Sequence, residues 1–232
     1  MSIQLYDLAG ADPRLLFSPF SWRVRMALLH KGLEFEVVPW RFSAREAIAA
    51  SGHPSVPVIR DGDTWVGDSW EIACYLDRRY PERPRLMPPP SGTAHARLVA
   101  ALCGTLIFPA AVQIGVYQAY RLLDPRCQPY FRESREAMFN TRLEDLHADA
   151  SRGPPQLAAA LKPFDEVLNV EEYLGGPHAT YADFLLFGIL KWLDIVSAYA
   201  PLDRTTPSGR WFTRLEQDYG GHAGQVPRAR QA

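Results

Sequence analysis

The pattern of apolar and polar positions changes character along the chain. Up to about residue 80, short strand-like runs alternate with helical patterns, whereas beyond residue 92 nearly every periodic segment has helical spacing. The segment between them, YPERPRLMPPPSG, contains five prolines, which preclude a regular helix and favour an extended connection. The pattern therefore predicts two domains, residues 1–80 and 93–232, joined by a linker over residues 81–92.

The first domain is predicted to begin with a strand, a helix and a strand, followed by a hairpin and a second helix. Ser18 is a good N-cap, Pro19 suits the first helical position and Gly32 suits the end of the helix. Gly62 tolerates a positive φ and predicts the hairpin turn. The predicted strands are residues 3–6, 35–38, 57–60 and 64–66, and the helices are residues 19–31 and 68 or 69 to 79. This order predicts a small α/β sheet with helices on both faces, a thioredoxin-like layout.

The second domain is predicted to be all-helical, with helices over about residues 93–122, 129–150, 180–199 and 209–219. The apolar segment Leu98–Val116 is nearly long enough for a membrane span, but Pro109 interrupts it, and a buried helix kinked at that proline is expected. Thr180 and Asp183 have the spacing of a capping box. The last dozen residues after Gly220 are polar and are expected to fray.

Charge and composition exclude several classes of function. The 232 residues include 25 basic and 26 acidic ones, without a block of lysine or arginine, so a nucleic-acid partner is not expected. The chain has three cysteines, Cys74, Cys103 and Cys127. Their odd number and wide spacing indicate neither a disulfide framework nor a zinc site. No HExxH, GxGxxG, phosphate-loop or GxSxG pattern occurs. We expect no metal, no membrane span, no secretory signal and a reducing cytoplasm.

The segment Ser18-Pro19-Phe20-Ser21 opens the first predicted helix. It has the spacing of the Cys-x-x-Cys motif of thiol oxidoreductases, with hydroxyl groups in place of both sulfurs. The N-terminus of a helix stabilises an anion through its free N–H groups and its dipole. These serines are therefore either an ordinary helix cap or donors to the anion of another molecule.

Two further segments carry backbone or side-chain groups suited to a peptide ligand. Val56 precedes Pro57 at the start of a predicted strand, where a proline is tolerated at an edge and an extended peptide can pair with the backbone. Asp68 and Glu71 can be read simply as a capping box. Alternatively, Asp68 and Ser69 can hold the head group of an amino acid, with the aspartate on its ammonium group.

Together these three motifs resemble the glutathione-binding domain of the glutathione transferase family. The matching stretches are SPFSWRVRMALLHKG and SVPVIRDGDTWVGDSWEIACYLDRRYP, and Thr180-x-x-Asp183 matches the helix-capping motif of the family's second domain. The resemblance covers residues 3–220, and the active site is similar to the serine-type zeta and theta-like classes. PYFRESRE and LKPFDEVL in the second half more closely resemble the bacterial β-aryl etherases of the same family.

The resemblance implies a role for each matched position. Ser18 would donate a hydrogen bond to the glutathione sulfur and hold it as a thiolate, and Ser21 is a second candidate for this contact. The implied glutathione-binding residues are Val56, Pro57, Asp68 and Ser69. Trp40, Arg41 and Phe42 would lie towards the glycyl end. Ser55 departs from the charged or amide residue that many relatives have at its position.

The implied activity is attack of activated glutathione on an apolar, aromatic electrophile, with detoxification as its expected use and a homodimer as its expected assembly. Phe108, Tyr117, Tyr120 and Trp192 are candidates for the second-substrate pocket, although core packing is favoured for each of them. Glutathione-dependent cleavage of β-aryl ethers and a non-catalytic glutathione-binding protein remain alternatives. A zeta-type isomerase is disfavoured, because Ser18 is followed by proline and phenylalanine rather than by a second serine and a cysteine.

Overall fold

The structure is a computed structural model that describes residues 2–148, 150–198 and 200–231. Its first part contains β1 (Ile3–Leu8), α1 (Pro19–His30), β2 (Phe35–Trp40), a 3₁₀ turn (Arg45–Ser51), β3 (Val58–Asp61), β4 (Thr64–Gly67) and α2 (Ser69–Arg79). The strands form one sheet in the order β2-β1-β3-β4, with β2 parallel to β1 and the other pairs antiparallel. This confirms the thioredoxin-like prediction, with element boundaries shifted by one or two residues.

The linker is held tightly by two residues of the first domain. The two carboxylate oxygens of Asp77 accept the backbone N–H groups of Leu86 and Met87, each at 3.0 Å. The buried ammonium group of Lys31 lies 2.9 Å from the same carboxylate and donates to the carbonyl oxygen of Pro84 at 3.1 Å. The proline-rich segment is therefore fixed by hydrogen bonds, while the division of the chain into domains at residues 81–92 stays a prediction.

The second part is helical. It contains α3 (Gly92–Leu102), a π-helical segment (Cys103–Ile107), α4 (Phe108–Leu122), α5 (Gln128–Phe139), α6 (Leu143–Ala148), α7 (Gly153–Leu168), α8 (Tyr181–Val196) and α9 (Pro207–Gly221), with short 3₁₀ turns at Ala150–Arg152 and Ala229–Gln231. All residues of α8 are buried, and it packs against α1 as well as against α3 and α4. This helix therefore joins the two parts of the molecule and forms the centre of the core.

The long apolar helix is interrupted by a wider turn. Residues 92–122 are the one described stretch long and apolar enough to cross a membrane, and half of its most apolar window is buried. Its α4 part packs against α7 and α8, as expected for a core helix. The π-helical segment ends two residues before Pro109. Because proline has no N–H to donate and crowds the preceding turn, a wider turn at this point has a clear cause.

One prediction for the helical domain was wrong, and one helix was missed. The helix predicted over residues 129–150 is divided into α5 and α6, because Asn140 takes the left-handed conformation with a φ of 50° and ends α5. Asp149, near the end of the predicted helix, lies outside the described residues, as does Tyr199 at the predicted end of α8. The helix α7 was not predicted at all, since its first turn contains Pro154 and its interior contains Pro163.

The polar C-terminal segment does not fray in the part that the structure describes. Arg228 donates to the carboxylates of Asp194 and Glu216, each at 2.8 Å, and Arg230 donates to Asp194 at 2.7 Å. The buried Lys191 contacts the same two carboxylates at 3.1 and 2.6 Å. We call these five residues the tail clasp. Because buried carboxylates are costly without cations, the clasp fixes the tail against α8 and α9.

Candidate active site at the N-terminus of α1

A cavity of about 370 Å³ lies at the start of α1. Its walls come from both parts of the chain and are largely aromatic, including Phe17, Phe20, Phe108, Phe131, Phe139 and Trp192. The polar or charged residues among the described ones that line it are Ser18, Ser55 and Arg135. A space of this size and character suits a small, mainly apolar organic molecule.

A smaller groove of about 250 Å³ adjoins the cavity. The two share Phe20, Ser55 and Val56 as a common wall, and the groove continues past Pro57 to Asp68 and Ser69 at the start of α2. Two helix N-termini and the backbone just before strand β3 therefore border one continuous space. The groove is more polar than the cavity and suits an elongated molecule with charged ends.

Ser18 occupies the N-cap position of α1 and is only 4% exposed. Its oxygen accepts the backbone N–H of Ser21 at 3.1 Å, and its own hydroxyl hydrogen has no acceptor among the described residues. Pro19 has no N–H, and the N–H of Phe20 has no partner within the described chain either. The Ser18 hydroxyl, the free N–H and the positive end of the helix dipole can together stabilise an anion at this end of the cavity.

Ser21 is not brought to the cavity. It is fully buried and lines neither the cavity nor the groove. Its neighbour is Asp7, which forms an ion pair with Arg25 at 2.7 Å. Burial raises the pKa of Asp7, and the charge of Arg25 and the hydroxyl of Ser21 oppose this effect. Ser18 therefore faces the cavity, whereas Ser21 contacts the Asp7–Arg25 ion pair inside the first domain.

Val56 presents a free backbone to the space that the cavity and the groove share. The peptide bond between Val56 and Pro57 is cis, and strand β3 begins only at Val58. Neither the N–H nor the C=O of Val56 makes a hydrogen bond within the described part of the chain. Both groups are available to an extended ligand that pairs as an added strand.

The start of α2 offers donors and a carboxylate to the groove. Asp68 has a φ of +67°, which is unusual for a residue with a Cβ. One of its carboxylate oxygens accepts the N–H groups of Trp70 and Glu71 at 2.8 and 3.1 Å, and the other has no partner among the described residues. The backbone N–H of Ser69 is likewise unpaired there, and its hydroxyl lies within hydrogen-bonding reach of the hydroxyl of Tyr181. An ammonium group and a carboxylate can be held side by side at this position.

The residues predicted to lie towards the glycyl end divide into structural and cavity positions. The indole N–H of Trp40 donates to the carbonyl oxygen of Ala44 at 2.7 Å, and Arg41 donates to Gly10 at 3.1 Å and lies 3.9 Å from Asp124. Trp40 therefore braces the first domain, and Arg41 connects it to the segment that follows α4. Phe42 lines the cavity instead and packs against Phe131.

Of the four aromatic residues considered for the second-substrate pocket, two pack outside the cavity and two line it. Tyr117 and Tyr120 stack on each other, and Tyr117 stacks on His147, away from the cavity lining. Phe108 and Trp192 line the cavity and stack on each other with ring centroids 6.4 Å apart. Helical spacing alone does not distinguish these two pairs, because the side that faces the cavity is set by tertiary packing.

Arg135 was not singled out by the sequence. It lies within PYFRESRE, where alternate charged residues favour a solvent-exposed helix face. In the structure it is half-buried in the cavity wall, and its guanidinium group lies 4.7 Å from the ring centroid of Phe131. Only the packing of α5 over the first domain reveals this placement.

The cysteines lie away from the cavity lining. Burial raises the pKa of Cys103 to about 12, and Cys127 is buried with its sulfur 3.6 Å from the hydroxyl of Ser43. Cys74 is half-buried, and burial raises the pKa of its thiol as well. None of the three is placed as a nucleophile for a molecule in the cavity.

A larger hollow of about 550 Å³ lies at the opposite end of α1. Four of its polar side chains already pair with one another: His30 bonds to the hydroxyl of Tyr219 at 3.1 Å, and Tyr173 donates to Asp218 at 2.9 Å. The space at Ser18 is the stronger candidate site, because it combines unpaired donors, a helix N-terminus and the free backbone of Val56.

Comparison with known proteins gives one consistent result. Residues 17–79 match the family described as "Glutathione S-transferase, N-terminal domain", and residues 94–216 match "Glutathione S-transferase, C-terminal domain". A glutathione S-transferase of Ceriporiopsis subvermispora, solved in complex with glutathione, superposes with a TM-score of 0.83 at 25% identity, covering 99% of this chain and 100% of that one. A glutathione transferase from Phanerochaete chrysosporium gives 0.76 at 26% identity, covering 97% and 94%.

Curated relatives match over shorter stretches. The chain is 32% identical over 139 residues to a glutathione S-transferase-like protein, ustS, of Aspergillus flavus, and 41% identical over 71 residues to glutathione S-transferase Z1 of Arabidopsis thaliana. These alignments cover 54% and 28% of this chain, and 49% and 31% of the two relatives. The chain thus matches about half or less of the length of these curated proteins.

Proposed function

Because the chain belongs to the glutathione S-transferase family, we propose that it binds glutathione in the groove and activates its thiol at Ser18. The activated sulfur then attacks an apolar, aromatic electrophile in the adjoining cavity. Val56 would pair its free backbone with the cysteinyl part of glutathione next to Pro57. Asp68 would accept the ammonium group of the γ-glutamyl end, and the donors of Ser69 would hold the carboxylate beside it.

The observation that carries this proposal is the position of Ser18. Its hydroxyl, with a free hydrogen, caps α1 where the polar groove meets the aromatic cavity. A free thiol has a pKa near 8.5 and is mostly protonated at neutral pH. A donor at the positive end of a helix favours the thiolate, and each unit by which the pKa falls corresponds to about 1.4 kcal/mol. Proximity of the two bound substrates would supply the remaining acceleration.

The reaction forms a bond between the sulfur and an electrophilic carbon of the second substrate. The thiol proton leaves to solvent before the attack, and a leaving group departs with the electron pair of its broken bond. The cavity walls exclude water from the bound molecule, and they present the aromatic faces of residues such as Phe108 and Trp192. The described residues contribute positioning and electrostatic stabilisation, without a covalent intermediate on the protein.

Cleavage of β-aryl ethers is the second candidate reaction. It is motivated by the resemblance of the second half to the bacterial etherases and by a cavity wide enough for an aromatic ring. In this reaction the sulfur displaces an aryloxide, so a phenol is released. A model aryl ether would distinguish the two candidates, because a general transferase lacking etherase activity would release no phenol from it.

The first experiment is a pH titration of glutathione bound to the protein, followed by the ultraviolet absorbance of the thiolate. The proposal expects the bound thiol to titrate below its free value, and Ser18→Ala to remove that shift. Ser21→Ala is the matched control, since this serine lies outside the groove and the cavity, and it should leave the shift in place. If glutathione binds with an unshifted thiol, the non-catalytic binding protein is the correct description.

We further propose that the protein works in the cytoplasm as a homodimer and that its use is detoxification. The resemblance to the family supports all three statements. Light scattering at several protein concentrations would test the dimer, since a mass near the 26.1 kDa of one chain would contradict it.

A further inference from the structure

The wall of the cavity contains one cation that the proposed transfer reaction does not use. Arg135, on α5, is the one charged side chain among the described residues that line this space. Its guanidinium group packs over the ring of Phe131 at 4.7 Å, and one of its N–H groups donates to the hydroxyl of Ser134 at 3.0 Å. A guanidinium group has five N–H donors, so most of its capacity remains.

The charge of Arg135 is not balanced by a carboxylate of the described residues. No carboxylate among the described residues forms an ion pair with it, whereas Arg132, one turn earlier on the same helix, pairs with Glu136 at 2.8 Å and with Glu144 at 2.7 Å. The fully buried Arg25 pairs with Asp7. Burial lowers the pKa of Arg135, which reflects the free-energy cost of holding this cation away from water. An unpaired cation in an apolar wall is unfavourable unless a ligand supplies the anion.

The geometry of a guanidinium group selects its ligand. Its planar donors match the two oxygens of a carboxylate, and such charged pairs gain strength where water is excluded. The rest of the wall is aromatic and suits a flat ring. From these observations we infer that the second substrate is an aromatic acid, with its ring in the cavity and its carboxylate on Arg135. This inference rests on the proposed function and defines the class of electrophile.

Arg135 could instead bind a carboxylate of glutathione, but its position does not favour this alternative. The Arg135 side chain lines the aromatic cavity and does not line the groove that contains Pro57, Asp68 and Ser69. If Arg135 instead held glutathione, its substitution would weaken binding of glutathione in the absence of any second substrate. That result would overturn the inference.

The test uses two pairs of probes that differ in one charge. The unreactive pair is nitrobenzoate and nitrobenzamide, whose binding can be followed by quenching of tryptophan fluorescence, since Trp192 lines the cavity. The reactive pair is chloronitrobenzoate and chloronitrobenzamide. With these, the sulfur forms a bond to the ring carbon, and chloride leaves with the electron pair of the broken carbon–chlorine bond.

Three variants complete the design. Arg135→Gln removes the charge, and Arg135→Lys restores it without the planar fork. Arg121→Gln is the matched control, because Arg121 is an exposed arginine on the cavity-lining helix α4 and is not in the lining itself. Thermal unfolding of each variant would confirm that the fold is retained.

We expect Arg135→Gln to weaken nitrobenzoate binding by about tenfold or more, as for loss of a charged hydrogen bond, and to leave nitrobenzamide nearly unchanged. Arg135→Lys should recover part of the loss. In Arg135→Gln, the KM for chloronitrobenzoate should rise by a similar factor, about tenfold or more, while kcat for chloronitrobenzamide stays constant. Equal binding of acid and amide to the parent protein would overturn the inference. So would a fall in kcat for the neutral amide, which would indicate stabilisation of a developing charge.

The unreactive probes keep this inference separate from the proposed function. If the protein is catalytically inactive, selective binding of nitrobenzoate through Arg135 can still be measured. If transferase activity is present and the acid has no advantage over the amide, the inference fails while the proposed function stands.

Discussion

The hydroxyl of Tyr181 donates a hydrogen bond of 2.6 Å to the backbone carbonyl oxygen of Ser69. The first residue of α8 is thereby tied to the first residue of α2, at the end of the groove. Both residues are buried. The backbone N–H of Tyr181 also donates to Leu86 in the linker at 2.8 Å, so one residue connects three parts of the molecule.

Tyr181→Phe should lower the free energy of unfolding by about 1 kcal/mol, because it removes a buried hydrogen bond without leaving a large cavity. The measurement is urea unfolding at neutral pH. Tyr117→Phe is the matched control, since the hydroxyl of Tyr117 makes no hydrogen bond within the described chain, and it should change stability by less than about 0.5 kcal/mol. Equal effects of the two substitutions would contradict this role of Tyr181.

Gly188 allows α8 to pack closely against the start of α1. A Cβ at this position would overlap the carbonyl oxygen of Pro19 and crowd the side chain of Arg23. Gly188→Ala should therefore destabilise the protein by about 1–3 kcal/mol. It should also move the pKa of bound glutathione towards the free value, because the start of α1 carries Ser18.

Gly104→Ala provides the control for this prediction. A Cβ on Gly104 meets nothing within 4 Å, so the substitution should be neutral or stabilising by up to about 1 kcal/mol. Unfolding curves and thiol titrations of the two variants would be compared side by side. A Gly188→Ala protein with unchanged stability and an unchanged titration would show that the close packing is dispensable.

The tail clasp should make stability depend on pH in the acid range. Burial by itself raises the pKa of Asp194, but the charge of Lys191 and the hydrogen bonds from Arg230 and Arg228 outweigh it and lower this pKa to about 2. The unfolded chain, with a pKa near 3.9, binds more protons below that value. The stabilisation is therefore present above about pH 4 and is lost as the pH falls towards 2, by up to about 2 kcal/mol.

Asp194→Asn tests this pH dependence directly. The free energy of unfolding would be measured between pH 5 and 2, where Glu144 also has a pKa lowered to about 2 by Arg132 and contributes in both proteins. The variant should lose about 3–5 kcal/mol at neutral pH, because it leaves buried cations uncompensated, and its curve should be flatter. Parallel curves would contradict the assignment to Asp194.

The cysteines should be unreactive in the folded protein. Cys103 and Cys127 are buried and should not react with a thiol reagent until the chain unfolds, while Cys74 should react slowly because it is half-buried and its pKa is raised. Counting labelled thiols before and after addition of urea checks this. Cys74→Ser should keep full activity with glutathione, and a large loss would revive cysteine chemistry.

Local signals in the sequence were sufficient for most of the first domain. The N-cap at Ser18, the glycine after α1 and the turn at Gly62 fix backbone conformations over a few residues, so strands and helices are placed within two residues of their observed ends. The helices of the second domain were harder to predict, because proline has two opposite effects on helices there. It usually breaks a helix but lies inside α7 at Pro163, and it can also start a helix, as Pro154 does in α7.

Sequence patterns indicate the candidate-site residues that lie at turns and helix caps, but not those that reach the site through packing of distant segments. Ser18, Val56 and Asp68 are adjacent to turns and caps that the sequence shows directly. Ser21, three residues after Ser18, is the second candidate for the sulfur contact, but the cap position and the third helical position face different surroundings. Arg135 enters the cavity only because α5 packs over the first domain, which no pattern within PYFRESRE indicates.

The common wall of groove and cavity, formed by Phe20, Ser55 and Val56, has a kinetic consequence. Once sulfur and electrophile are joined, the conjugate occupies both compartments at once, and each half holds the other at a high effective concentration. It therefore binds more tightly than either substrate alone. For large aromatic electrophiles we expect departure of the conjugate, rather than bond formation, to limit turnover.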